Sequence, residues 1–148
     1  MSKDFQPIPS ESIENAYKEL ELLEQEAVVD LVIDKDMEKN FNNVNKIYNW
    51  AKHYNKWNKR LKALTSEFKR IRSIRYFIHR ESNIYNMAEK EINTKLDNDE
   101  ILISYKNILE AVELIIEFIK KIQNLLDNQR YDIKEKFAYM RWVNGEDF

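Results

Sequence analysis

Residues 46–80 of this sequence carry eleven basic side chains and a single acid, Glu67. Such a block is suited above all to the electrostatic capture of a polyanion. A phosphate backbone is the natural ligand, with affinity driven by counterion release and no reading of base edges. Lys52, Lys56 and Lys59 recur at i, i+4 and i+7, and Lys62, Lys69 and Arg70 extend that side of a helix. Arg60, Arg72 and Arg75 flank the apolar stripe on the opposite side, and Arg80 closes the block. Like charges three or four residues apart repel by a few tenths of a kcal/mol per pair, roughly, and a polyanion relieves that repulsion. Tyr76 and Phe77 lie inside the block, with Tyr54 and Trp57 along it. Aromatics beside Lys and Arg are what single-strand binders use to stack bases. Trp50, Tyr54 and Trp57, however, fit an apolar stripe and are expected in the core. Tyr76, Phe77 and Tyr85 fit it less well. The candidate set for binding a phosphate backbone is therefore Lys52, Lys56, Lys59, Arg60, Lys62, Lys69, Arg70, Arg72, Arg75, Tyr76 and Arg80. A second reading stands beside it: a solvated helix face whose charge is compensated by acids elsewhere in the chain.

Other chemistry is poorly served. The one glycine, Gly145, rules out phosphate loops, which need several glycines to let backbone amides approach the ligand. There is no cysteine, and His53 and His79 are 26 positions apart on one expected helix, so they cannot share an ion within one chain. Glu113 and Glu117 are spaced as a helix face would space them, and solvated carboxylates are the economical reading. Nothing suggests a nucleophile–base pair. The expectation is a non-enzymatic protein with no catalytic residue, no cofactor and no metal.

The elements that must position the belt are helices. Between Ser10 and Asn144 no Gly or Pro interrupts the chain, and strand-rich folds need such turn residues. The fold class expected is all-α, one domain, with residues 1–10 as a flexible arm. An acidic amphipathic helix spans 11–29, capped by Ser10, with Ile13, Tyr17, Leu20, Leu23 and Ala27 on its apolar side. A single helical domain, 30–148, follows. Asp34 or Asp36 caps a long basic helix over 34–78, roughly 65 Å at ~1.5 Å per residue, with apolar positions from Met37 and Phe41 onward. Residues 81–86 loosen or end it. Further helices are expected over 87–96, 100–127 and 131–143, with a cap at residues 97–99 and an end before Gly145. The 100–127 helix carries a coiled-coil-like 4-3-4-3 stripe: Ile101, Tyr105, Ile108, Val112, Ile115, Ile119, Ile122 and Leu126. Its flanks are apolar too, so it expects neighbours on more than one side, from the same chain or from other subunits. Its charges, Lys106 to Lys121 among them, make a membrane span a poor reading. The N-terminus has no apolar run of signal-peptide length.

Charge is segregated along the chain. Residues 1–45 hold 4 basic and 11 acidic groups, and residues 81–148 hold 9 basic and 14 acidic groups. A net charge of −2 therefore conceals a polarised surface.

The order of features resembles the UvsY family of phage recombination mediators. Asp30-Leu31-Val32-Ile33-Asp34 resembles the family's acidic-apolar entry to a long helix. The basic helix then leads to Arg75-Tyr76-Phe77, followed by Lys90-Glu91-Ile92 with Leu96 and Asp99. The end of the chain, Tyr131-Asp132-Ile133-Lys134 with Trp142 and Gly145, is similar to the family's aromatic-x-I-K…aromatic-x-x-G ending. The similarity spans roughly residues 30–146. The family ties Lys and Arg just before the aromatic pair to DNA, where this chain has Ile71 and Ser73, with the charge on Lys69, Arg70, Arg72 and Arg75.

The resemblance implies a helical homo-oligomer, a ring of six or seven subunits, in the cytoplasm of the infected host cell. Its implied partners are single-stranded DNA, a single-strand-binding protein and a RecA-like recombinase, which it loads onto DNA. Assembly is expected through the Ile101–Leu126 stripe with help from Trp142. The alternative is a structural or adaptor oligomer whose basic belt meets an acidic protein.

Overall fold

The computed structural model describes residues 7–32, 43–81 and 88–145. Among them the chain forms four helices and no strand: α1 (Ile13–Asp30), α2 (Asn43–Glu81), α3 (Glu89–Asp97) and α4 (Glu100–Val143). The all-α class is as expected. The caps proposed at Asp34 and Asp36, the stripe positions Met37 and Phe41, the break at 82–86 and Tyr85 lie outside the described residues.

α2 runs antiparallel to both α1 and α4. Glu26 meets His53 while Glu11 meets Arg60, and Asp99 meets Arg75 while Tyr105 meets Glu67. The dominant packing is α2 on α4; α1 covers α4 from another side, and short α3 closes the far end of α2.

The 4-3 spacing of α2 sets this packing. Trp50, Trp57, Leu64 and Ile71, seven residues apart, are fully buried, with Ile47, Tyr54, Leu61 and Phe68 half-buried between them. Each indole removes roughly 200 Å² from water, on the order of 5 kcal/mol of gross stabilisation. Trp50 packs edge-on against Phe118 of α4 at 6.2 Å.

On α4 the stripe Tyr105, Ile108, Val112, Ile115, Ile119, Ile122 and Leu126 is buried, with Ile101 packed at its edge. Leu102, Ala111 and Ile116 on the flanks are buried too. Here the assembly expectation needs correcting. The stripe is filled by α1 and α2 of the same chain, so Ile101 to Leu126 form the internal core and offer no subunit face. The apolar flanks meant more than one neighbour, and α1 and α2 of this chain supply them, with Leu125 left exposed.

Other boundaries also shift. Ser12, not Ser10, caps α1, its Oγ accepting from the Asn15 amide at 3.1 Å. Ser10 is drawn elsewhere: its amide and hydroxyl donate to Glu67 at 3.1 and 2.7 Å. The arm is thus pinned at that residue. Ala16, rather than Tyr17, faces the core, and Tyr17 is exposed. The small side chain lets α1 sit close, and a phenol there would hold it off.

The expected break between helices 100–127 and 131–143 does not occur. α4 runs 44 residues without interruption, about 66 Å at ~1.5 Å per residue. The polar run Asp127-Asn128-Gln129-Arg130 contains no helix breaker, and Gln129 donates to the Leu31 carbonyl at 2.8 Å. Beyond it Tyr131, Tyr139, Trp142 and Val143 are exposed, so the last turns project from the bundle. The helix ends at Asn144, and Gly145 takes the left-handed conformation (φ 73°) that releases the chain.

No helix among the described residues is long and apolar enough to cross a membrane.

Candidate nucleic-acid interface

Because α2 buries one stripe against α4, its opposite side faces outward along the whole helix. Lys52, Lys56, Lys59, Lys62, Lys69, Arg70, Arg72 and Arg80 are all exposed on or beside that side. They span about 42 Å of helix. Lys62 and Lys69, two turns apart, join a cluster at 52–62 to a second at 69–80. Among the described residues no acidic side chain pairs with any of these eight.

The remaining cations of the candidate set are drawn inward. Arg75 donates from Nε to Asp99 Oδ2 at 2.7 Å and keeps only 16% of its side chain exposed. Arg60 pairs with Glu11 at 3.5 Å and lies over the Trp57 ring at 4.6 Å. Tyr76 packs against the core. Arg60, Arg75 and Tyr76 are thus removed from the open belt and hold the bundle together.

Asp99 is the hub that draws Arg75 and His79 inward. Its Oδ1 caps α4 by accepting from the Ile101 and Leu102 amides, and its Oδ2 accepts from Arg75 and from His79 at 2.7 Å. Burial pushes the carboxyl pKa up. The bonds from His79 and Arg75, the Arg75 charge and the Ile101 amide outweigh that and leave it below the ordinary value. An open cleft of about 500 Å³ borders this cluster, lined by Arg75, His79, Lys95, Asp99 and their neighbours.

The acids of α1 and Glu11 just before it were the obvious candidates to cancel the belt. Instead Glu26 meets His53 at 3.0 Å, Glu11 meets Arg60, and Asp30 accepts from the Trp50 indole at 2.9 Å. All three contacts lie on the flank of α2 that faces α1. Among the described residues no acid compensates the outer face. Glu67, the lone acid of the block, also turns inward and accepts from Ser10 and from the Tyr105 hydroxyl at 3.0 Å. Burial, then the Glu67 bond and charge, push the Tyr105 pKa up to about 12.

Of the aromatics on α2, Tyr48 and Phe77 are the exposed ones, at 60% and 50%. Phe77 stands edge-on to Tyr76 at 5.9 Å. Tyr48 carries the Lys52 ammonium 4.6 Å from its ring centre. Sequence reasoning passed over Tyr48, although its spacing was informative: it falls off the 4-3 stripe and four residues before Lys52. The Arg75–Asp99 pair, 24 residues apart, had no such signal.

Among the described residues no group of three or more metal-ligating side chains gathers. No protein family, curated protein or solved structure matches this chain.

Proposed function

We propose that this protein binds single-stranded DNA along the outer face of α2 and acts, without catalysis of its own, as a recombination mediator. The observation carrying the reading is the belt of exposed cations, which no acidic side chain among the described residues pairs with, on a helix whose apolar stripe is buried against α4. A phosphate chain laid along α2 neutralises the belt and releases counterions, and nothing in that interaction depends on base sequence. Displacing a single-strand-binding protein and seating a RecA-like recombinase follow from the resemblance to the UvsY family. Assembly multiplies the belt by raising the effective concentration of each next contact. With the Ile101–Leu126 stripe occupied inside the chain, assembly falls to the projecting end of α4, where Tyr139 and Trp142 are exposed and 6.3 Å apart.

The test is a titration of labelled single-stranded DNA at several salt concentrations, with the protein sized by light scattering. If about five belt cations meet phosphates, log K falls against log salt with a slope of about −3.5. The triple reversal Lys69→Glu, Arg70→Glu and Arg72→Glu abolishes binding while the far-ultraviolet circular dichroism is kept. A monomer that ignores single-stranded DNA at low salt refutes the mediator reading. An oligomer that ignores DNA but retains an acidic protein points to an adaptor.

A further inference from the structure

We propose that Tyr48 and Phe77 are base-stacking residues that mark the two ends of a single-strand track on α2. The inference rests on the reading of α2 as a nucleic-acid face and adds what that reading lacks, a means of preferring unpaired bases. Cations alone cannot supply it, since phosphates are present on single and double strands alike.

Every other aromatic on the helix is buried or packed against the core, as the 4-3 stripe demands. These two lie off the stripe, among the exposed cations. Tyr48 stands one turn before Lys52, whose ammonium already rests over the ring and marks a π face open to solvent. Phe77 lies two turns after Arg70 and one before Arg80, and its edge-on contact with Tyr76 fixes it while leaving half of it exposed. Orientation is therefore set before any ligand arrives. Phosphates lie over the cations between the rings, and bases turn onto the rings at each end. Lys52 is then free to leave the Tyr48 face for a phosphate. The rings are about 43 Å apart along the helix axis, so one strand touches both only by running lengthwise. At ~3.4 Å per stacked nucleotide a 20-nucleotide strand is long enough.

The experiment compares a labelled 20-nucleotide single strand with an abasic strand of equal length and phosphate number, using the full chain at low salt. Wild type binds the base-bearing strand more tightly. Tyr48→Ala and Phe77→Ala each weaken that binding by about five-fold or more and leave the abasic strand unaffected. Tyr48→Phe and Phe77→Tyr restore it. Equal affinity of wild type for both strands removes the stacking role and leaves the charge reading standing. Equal losses on both strands do the same. Failure of wild type to bind either strand overturns both readings together.

Discussion

Replacing Asp99 by Ala removes two kinds of support with one side chain. The first is the cap on α4, since Asp99 Oδ1 accepts from the Ile101 and Leu102 amides. Losing an N-cap costs about 1 kcal/mol. The second is the acid between Arg75 and His79. Breaking a fully buried pair costs roughly 3–5 kcal/mol. Here the Arg75 side chain keeps 16% exposure and borders an open cleft, so water recovers part of that. About 1–2 kcal/mol is the appropriate share. The total, roughly 2–3 kcal/mol, lowers the melting temperature of a chain this size by about 6–9 °C. Asp99→Asn keeps a capping oxygen and so spares the cap's share of the loss, but it loses the charge and puts an amide donor where Oδ2 accepted from Arg75 and His79. The pH dependence separates these terms further. The folded carboxyl titrates below its ordinary 3.8. Its charge-dependent stabilisation is therefore present above about pH 4 and lost as pH falls through the lowered value. The gap between wild type and Asp99→Asn closes correspondingly in acid. Thermal melts followed at 222 nm from pH 7 to pH 3 measure all of this. An Asp99→Ala protein melting within about 2 °C of wild type at pH 7 refutes the hub role.

Two further predictions concern the core. Glu67→Gln removes the charge facing Tyr105, so that phenol titrates below its present value of about 12, as read by a residue-resolved tyrosine titration. The sign for wild type follows: a raised phenol pKa stabilises the fold below about pH 10, and this is lost as pH climbs through about 12. Ile115→Glu buries a carboxylate where the side chain is fully enclosed. It unfolds the chain instead of producing a folded monomer, a distinction that circular dichroism and light scattering make together.

The helical class was legible because 43% apolar residues recur on a helical period with almost no Gly or Pro. The outer position of Lys52, Lys59 and Lys62 was legible for the same reason: a stripe that faces a neighbour puts its opposite side in water. The stripe does not identify that neighbour. Ile101–Leu126 reads the same whether α2 of this chain or another subunit fills it, and only the folded path of the chain decides. Ser10 and Ser12 are equivalent as caps by residue type; Glu67, more than fifty residues away, claims Ser10. Arg75 and Arg72 likewise sit three apart in one basic run, and Asp99 separates them into a half-buried brace and an exposed cation. The polar run at 127–130 suggested a turn, although it holds nothing that breaks a helix. In each case a tertiary partner settles what local pattern leaves open.

The inward turn of Glu67, with Glu14, Glu21 and Glu24 left exposed on α1, has a kinetic consequence. The molecule carries a net charge of −2, so far from a polyanion it gains nothing from its total charge. Within a Debye length, about 10 Å at moderate salt, individual faces are felt. An approach led by α1 is repelled, and one led by α2 is drawn in. The protein behaves as an oriented dipole, its tumbling biased before contact so that collisions that persist begin with the same helix forward.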